Sequence, residues 1–227
     1  MVAVTLQTGR FPRVYSECEI EYTYFRKKSK YYLVLGQKIL LFSEKITMQS
    51  ITFITGNQKK ADYLARYLGF PIEHQKIDLD EIQSLDLREI VEHKVKQAYE
   101  KVWKPVIVED VSLEFSALGR LPGTFIRFFI EEMSMEQICS LLDKKDRSAI
   151  ARCVFGYYDG IHLEFFEWEI KWSISEKPAG TGGYGFDQIF IPTWYTVTRA
   201  ELSEIDDQKT YLQMKPFEKV RIFLESL

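Results

Sequence analysis

The segment SITFITGNQKKADYLARYLG, residues 50–69, has the pattern of a strand, a tight turn and a helix. Its first six residues form a short β-branched run, which is typical of a buried strand. An apolar stripe at helical spacing follows Gly56 and Asn57 and consists of Ala61, Leu64, Ala65 and Leu68. Gly69 stands where a helix-terminating glycine is expected. The chain therefore places a glycine turn between a strand end and a helix start.

Strands and helices mix without strict alternation in the rest of the chain. We predict helices over 87–102, 135–142 and 216–227, and strands over 105–108, 149–157, 163–172 and 186–191. This order favours an α/β or α+β protein with a mixed sheet. The first 49 residues have a different sequence pattern from the rest of the chain. Alternating and apolar runs over 19–26, 31–36 and 38–44 predict two or three short strands, with Gly36 at a hairpin turn.

Composition excludes several classes of function. The net charge of −3 gives no indication of a nucleic-acid or membrane partner, so a polyanionic substrate would need a local cluster of lysine and arginine. The three cysteines, Cys18, Cys139 and Cys153, have neither zinc-site nor disulfide spacing and fit a reducing compartment. The N-terminal sequence MVAVTLQTGRFPR lacks the apolar core of a signal peptide, and the expected location is the cytoplasm.

The turn Thr55-Gly56-Asn57-Gln58-Lys59-Lys60 is a candidate phosphate site. Backbone N–H groups at a helix start bind phosphate oxygens, and the helix dipole and two lysines add positive charge. Taken alone, a simple turn capped by Asn57 is the more common explanation.

Two acidic segments are candidates for a metal site. Asp78-Leu79-Asp80-Glu81 follows a predicted strand, and Glu109-Asp110 ends another. Carboxylates at strand ends bind Mg²⁺ together with water and substrate phosphate, although most acidic runs are merely solvated. Because Glu109 and Asp110 are neighbours, they project to opposite faces of the sheet, so one can hold metal and activate water while the other is structural.

Three further features are candidates for binding a nucleotide. Lys94 lies on the apolar stripe of its helix, where it either extends to solvent, the more common case, or reaches an anion in a cleft. Arg127, beyond the rigid loop 119–123, is either a phosphate ligand or a surface residue. In the glycine-rich segment 180–187, Tyr184 or Phe186 can stack on a base and Asp187 can accept from a ring N–H. The alternative is a flexible loop with its aromatic rings in the core.

Taken in order, these segments resemble the inosine triphosphate pyrophosphatases. The resemblance runs from about Ile51 to Leu227 and rests on TGNQKK at 55–60, QKIDLDE at 75–81, VEDVSLEFSALGRLPG at 108–123, SAIARCVF at 148–155 and GYGFDQIF at 183–190. Thr198-Arg-Ala-Glu-Leu202 and Lys209 extend it. It implies an elongated α/β fold with a central mixed sheet flanked by helices, a nucleotide cleft between two lobes, and a homodimer. The implied reaction is Mg²⁺-dependent hydrolysis of ITP, dITP or XTP to the monophosphate and pyrophosphate.

The resemblance also implies residue roles. The phosphates would be held by Thr55, Gly56, Asn57 and Lys60, with Lys60 also catalytic, and by the added positive charge of Lys94 and Arg127. Glu81 and Asp110 would serve Mg²⁺, and Asp110 would be the general base for water. The base would be framed by Tyr184, Gly185, Phe186 and Asp187, and Lys209 would reach the nucleotide from the C-terminal segment.

The sequence departs from the family where the base is recognised. The family carries Ser-His-Arg, whose His and Arg bind the 6-oxo edge of a purine, at the positions of Gln213-Met214-Lys215. Met214 offers almost no hydrogen bond, and Lys215 keeps a positive donor without the planar fork. Relaxed or shifted base selectivity is therefore expected, with a non-catalytic nucleotide-binding protein as the alternative.

Residues 1–49 lie outside the resemblance, so we divide the chain into an N-terminal extension over 1–49 and a pyrophosphatase domain over 50–227. The extension is either a small β module or an over-extended start, because Met48 directly precedes the first family strand.

Overall fold

The computed structural model describes the strand residues 22–27, 30–35 and 38–42, and all residues from 51 to 227. Packing divides the chain into two units, Met1–Gln49 and Ser50–Leu227. The first unit contains β1 (Tyr22–Lys27), β2 (Lys30–Leu35) and β3 (Lys38–Phe42), which form an antiparallel sheet in that order. Each overlaps a predicted strand, whereas the predicted turn at Gly36 lies outside the described residues.

The second unit is built on one mixed seven-stranded sheet. Its strands are β4 (Thr52–Ile54), β5 (Glu73–Gln75), β6 (Val106–Phe115), β7 (Pro122–Gly123), β8 (Ser148–Tyr158), β9 (Leu163–Ile174) and β10 (Phe190–Pro192). They are ordered β10-β9-β8-β6-β4-β5, and β7 pairs with β6 outside this path. β4 is parallel to both β5 and β6, whereas the remaining pairs are antiparallel. The predicted mixed-sheet α/β fold is confirmed.

Six helices accompany this sheet in the part of the chain that the structure describes. They are α1 (Gln58–Tyr67), α2 (Leu87–Val102), α3 (Ile126–Glu132), α4 (Met135–Ser140), α5 (Glu204–Met214) and α6 (Phe217–Ser226). α2 and α4 begin at their predicted residues, Leu87 and Met135. Asn57 caps α1 and Asp86 caps α2 through side-chain oxygens that accept from first-turn N–H groups. None of these described helices has the length and apolar composition needed to cross a membrane.

Three apolar clusters fix the helices on the sheet. One cluster joins α1, α5 and α6 to one sheet face around Phe53, Ile107 and Phe155, and a second joins α2 to the opposite face around Val91 and Val108. The third lies towards the other end of the long strands, where α3 and α4 pack on the sheet. The two ends of β6 therefore belong to different cores.

Two strand predictions need correction. The strand predicted over 105–108 continues to Phe115, because β6 pairs with β8 along its whole length, and Glu109 and Asp110 lie inside the strand and not at its end. Of the strand predicted over 186–191, only the last part is strand, because glycines with positive φ at 183 and 185 turn the chain directly before it.

Gly156 sets the distance between α2 and the sheet. A Cβ atom at this position would lie 2.6 Å from Val91 Cγ1 and 3.6 Å from Val95 Cβ. Both valines are fully buried. A side chain at residue 156 therefore has no space unless the helix moves away.

We predict that Gly156→Ala lowers the free energy of unfolding by roughly 1–3 kcal/mol, the usual cost of overpacking a core. Urea denaturation measures this loss. Val91→Ala removes the clashing methyl groups, so the double variant should lose less than the sum of the two single variants. Strict additivity of the two losses would contradict the clash.

Candidate functional site

A cleft of about 970 Å³ opens beside the middle of β6. On the edge of β6 away from β8, β4 pairs only with Val106 and Ile107, and β7 pairs only with Leu113 and Glu114. Within residues 51–227, no strand pairs with that edge between these two contacts. Residues from several segments line the cleft. These segments include the turn 54–60, the segment 76–83, β6, the start of α3, the loop 184–187 and the end of α5.

The predicted phosphate turn borders this cleft. Asn57 N donates to Thr55 Oγ1 over 3.2 Å, and Lys60 N donates to Asn57 Oδ1 over 3.3 Å. These bonds hold the turn in shape before any ligand arrives. Thr55, Gly56, Asn57 and Lys60 all line the cleft, with the N-terminus of α1 beside them. Such a helix start is suited to bind phosphate oxygens.

Glu81 and Asp110 converge on one positive charge. Lys94 Nζ lies 2.7 Å from Glu81 Oε1 and 2.8 Å from Asp110 Oδ2. Burial alone would lower the pKa of Lys94, but the two carboxylates outweigh it and raise that pKa. Lys94 thus points into the cleft and does not extend to solvent. The two predicted metal ligands are close enough to share a cation.

Glu109 lies within the sheet face opposite to Asp110. Its side chain is 2% exposed and forms an ion pair with Lys215, which is 3% exposed, while Lys60 Nζ lies 3.7 Å away. Burial alone would raise the pKa of Glu109, but the ammonium groups of Lys215 and Lys60 lower it to about 2. Glu109 is therefore the structural acid of the pair, and Asp110 is the acid with access to a cation.

This ion pair changes the expectation for Lys215. The sequence suggests a donor for the base, yet the ammonium group is bound to Glu109 and lies 3.5 Å from Cys153 Sγ. Met214 lines the cleft and packs against the core around α3 and α4. The C-terminal end of α5 therefore forms part of the cleft wall, and the Lys215 ammonium group there is engaged by Glu109.

The glycine-rich loop forms the other end of the cleft. Tyr184 N donates to Asp187 Oδ2 over 2.8 Å, and Arg199 Nη1 donates to Asp187 Oδ1 over 3.2 Å. Phe186 lines the cleft and also meets Phe190 edge-on, so it belongs partly to the core. Gly183 has a φ of 71° and would place a Cβ 2.3 Å from the Asp187 carboxylate, so this position requires glycine.

Two predicted binding residues have surface positions. Lys209 does not line the cleft, because its side chain is 62% exposed and its Nζ pairs with Asp206 over 3.2 Å. The structure therefore does not bring Lys209 to the other site residues. Arg127 is 67% exposed and pairs with Glu131, but it lies at the cleft.

Sequence reasoning missed Arg199, which lines the same cleft. Its guanidinium is 2% exposed, between Asp187 and Asp207, and lies 5.3 Å from the ring centroid of Tyr211. The only sequence signal was an arginine within a segment that supports the family resemblance. No pattern of spacing indicated that it would be buried beside Asp187.

Together, the mixed sheet, the capped turn before α1, the paired carboxylates and the aromatic glycine loop define an α/β protein with a polar cleft beside its central strand. The model of the Ham1 family matches residues 51–222. The chain belongs to the Ham1 family, and the resemblance predicted from the sequence is confirmed.

Curated relatives cover most of the chain. An inosine triphosphate pyrophosphatase of Scheffersomyces stipitis is 33% identical in an alignment of 195 residues that covers 79% of this chain and 100% of that protein. Inosine triphosphate pyrophosphatase 2 of Trypanosoma cruzi is 36% identical over 176 residues, covering 76% of this chain and 84% of that protein.

Solved structures share the fold. A HAM1 protein from Coxiella burnetii superposes with a TM-score of 0.68 at 20% identity, over 79% of this chain and 100% of its own. The Ham1 protein of Staphylococcus aureus gives a TM-score of 0.64 at 26% identity, over 78% of this chain and 99% of its own.

We predict that Lys215→Met destabilises the protein by about 3–5 kcal/mol at neutral pH, because it leaves Glu109 buried without its partner. The pKa of Glu109 is about 2 in the folded protein, below its ordinary value of 4.5. The ion pair therefore stabilises the fold above about pH 4.5, and this contribution is lost as the pH falls towards 2. Unfolding measured at pH 7 and pH 4 should show a smaller deficit at pH 4.

Two further variants complete this test. Glu109→Gln combined with Lys215→Met should recover part of the stability, because no buried charge remains. Lys209→Met, which removes an exposed pair, should cost less than about 1 kcal/mol. A Lys215→Met deficit that is the same at both pH values would show that Glu109 is not the cause.

Proposed function

We propose that this protein hydrolyses abnormal purine nucleoside triphosphates such as ITP, dITP and XTP to the monophosphate and pyrophosphate, with Mg²⁺, and so removes them from the nucleotide pool. The observation that supports this proposal most directly is that Glu81, Asp110 and Lys94 meet in the cleft beside the turn 55–60. The names of its relatives support this activity: two are inosine triphosphate pyrophosphatases, and a structural neighbour from Mycobacterium abscessus is described as a dITP/XTP pyrophosphatase.

The chain's own residues provide positioning and charge. The turn 55–60 binds phosphate oxygens through N–H groups and Lys60, and Lys94 and Arg127 neutralise further negative charge. Such electrostatic positioning is the main requirement for phosphoryl transfer to water. The Asp110 carboxylate orients the attacking water and accepts its proton. Asp110 Oδ1 accepts from the N–H of Val111 over 2.8 Å, which fixes the carboxylate on its strand.

Glu81 and Asp110 fit a divalent cation. Both already bind the same ammonium group, so their oxygens converge on the position of a cation. Residues 51–227 contain no cluster of three or more His, Cys, Asp or Glu side chains that would hold a metal alone. Proteins usually coordinate Mg²⁺ through one or two carboxylates, while water and substrate phosphate supply the remaining ligands. Bound Mg²⁺ would neutralise phosphate charge and lower the pKa of water.

The main test is pyrophosphate release from ITP, dITP, XTP, GTP and ATP in the presence of Mg²⁺. We expect turnover of the first three, and Asp110→Asn should lower kcat by about 10²–10⁴-fold through loss of the general base. Asp143→Asn removes a surface carboxylate outside the cleft and should retain the activity. The proposal is wrong if the purified protein releases no pyrophosphate from any triphosphate.

The metal site has a separate test that needs no turnover. Calorimetry should detect Mg²⁺ binding to the nucleotide-free protein, weaker in Glu81→Gln because a ligand is lost. Lys94→Met should bind Mg²⁺ more tightly than the unaltered protein, since Lys94 competes for the same two carboxylates. Equal Mg²⁺ affinity in all three proteins would contradict a site at Glu81 and Asp110.

A shifted base specificity is the second candidate, and the Glu109–Lys215 pair favours it. With Lys215 bound internally and Met214 unable to donate, the end of α5 offers the base few hydrogen bonds. In the same panel, GTP or ATP turnover equal to that of ITP would support the shift. Tight nucleotide binding without turnover, unchanged in Asp110→Asn, would instead indicate a non-catalytic protein.

We also propose a cytoplasmic homodimer whose catalytic domain spans residues 50–227, preceded by the extension 1–49. The family resemblance supports the dimer, and the mass in solution tests it. The two described cysteines, Cys139 and Cys153, are free and buried, which supports a reducing compartment. Activity of a chain that begins at Met48 would show whether the extension is needed.

A further inference from the structure

Arg199 joins the glycine-rich loop to helix α5 through two ion pairs. Its Nη1 donates to Asp187 Oδ1 over 3.2 Å, and its Nη2 lies 2.9 Å from Asp207 Oδ1. The side chains of Arg199 and Asp187 are 2% and 4% exposed, so solvent ions screen this pair little. Arg199 therefore ties two elements that border the cleft to each other.

Asp187 extends this constraint to Tyr184. Its second carboxylate oxygen, Oδ2, accepts from the backbone N–H of Tyr184 over 2.8 Å. The backbone is held as well, because Ala200 N donates to Asp187 O over 3.1 Å. Both carboxylate oxygens of Asp187 thus bind groups of the protein. This arrangement favours a structural acceptor over an acceptor for the N–H of a base.

Tyr184 lies where a bound base can contact it. It lines the cleft, and its ring centroid lies 6.3 Å from that of Tyr63. On the α1 side, Lys59 Nζ donates to the carbonyl of Gly183 over 3.0 Å and lies 5.4 Å from the centroid of the Tyr184 ring. Stacking of a base on an aromatic ring contributes roughly 10- to 100-fold to affinity. The position of the Tyr184 ring therefore bears directly on nucleotide binding.

We propose that Arg199 is a positioning residue, which acts through Asp187 to hold Tyr184 in place for stacking on the base of the nucleotide. In this assignment the guanidinium contacts neither the base nor the phosphates. Its effect is on affinity, since Glu81 and Asp110 are held by Lys94 and not by this clamp. This inference rests on the proposed function for its substrate.

Steady-state kinetics with ITP test the role of Arg199. Arg199→Leu should raise KM by roughly 10- to 100-fold, the effect of losing one stacking contact, and change kcat by less than about 3-fold. Arg199→Lys keeps the charge without the planar fork and should recover part of the loss. Arg221→Leu removes an exposed arginine of α6 and should leave both constants unchanged. A lower melting temperature of Arg199→Leu with unchanged KM and kcat would show a merely structural role and would overturn the proposal.

A comparison of ITP with ATP distinguishes positioning from base reading. Hypoxanthine carries an N1–H donor that adenine lacks, so an Asp187 carboxylate that accepted from the base would favour ITP. We expect Asp187→Asn and Arg199→Leu to raise the dissociation constants of both nucleotides by the same factor, because every base has a face on which an aromatic ring can stack. A selective loss of ITP binding would contradict the assignment.

Amide hydrogen exchange gives a readout that needs neither turnover nor a nucleotide. In Arg199→Leu, the Tyr184 N–H should exchange roughly 2- to 10-fold faster, as for one weakened hydrogen bond, while the Lys60 N–H, which is bonded to Asn57, keeps its rate. An unchanged rate at Tyr184 would refute the proposal. If Arg199→Leu does not fold, Asp207→Asn loosens the same clamp and is measured in the same way. If the protein turns over no triphosphate, the proposed reaction fails, whereas the exchange rates still decide the role of Arg199.

Discussion

Two adjacent carboxylates on the central strand impose the arrangement of the helices around the cleft. Glu109 and Asp110 project to opposite faces of β6; the side chain of Glu109 is 2% exposed, and that of Asp110, at the cleft, is 24% exposed. A buried carboxylate needs a positive partner or it becomes protonated. Each face supplies one: Lys215 after α5 for Glu109, and Lys94 of α2 for Asp110. The helices on the two faces must therefore place a lysine at the same level of the sheet.

The gap between β4 and β7 opens the cleft beside these two carboxylates. Both strands pair with the same edge of β6 and leave residues 108–112 without a strand partner there, within the described residues. Groups from both sheet faces can reach the gap, and so the acids, Lys60 and Lys94 border one cleft. A continuous ladder of strands at that edge would separate the two faces and bury Asp110 beyond the reach of a substrate. The short length of β4 thus keeps Asp110 accessible from the cleft.

The shape of the turn 55–60 could be predicted from the sequence because local rules govern it. A strand, a glycine and an Asn-capped helix start form this turn through contacts within six residues. The alternation of β6 likewise separated Glu109 from Asp110 in advance. The base end depends on contacts between residues distant in sequence. The burial of Arg199 against Asp187 and Asp207, and the capture of Lys215 by Glu109, are tertiary outcomes that no periodicity encodes.

The two ends of the cleft are built from different segments of the chain. One end consists of the turn before α1, Glu81, α2 and β6, whereas the other consists of the loop 184–187, the segment around Arg199 and the end of α5. Lys215 links them through Glu109 and the neighbouring Lys60, and Lys59 links them by donating to Gly183 O over 3.0 Å. The side chain of Lys215 is long enough to reach Glu109 and neutralise it. Lys215 thus stabilises the buried acid beside which Lys60 lies.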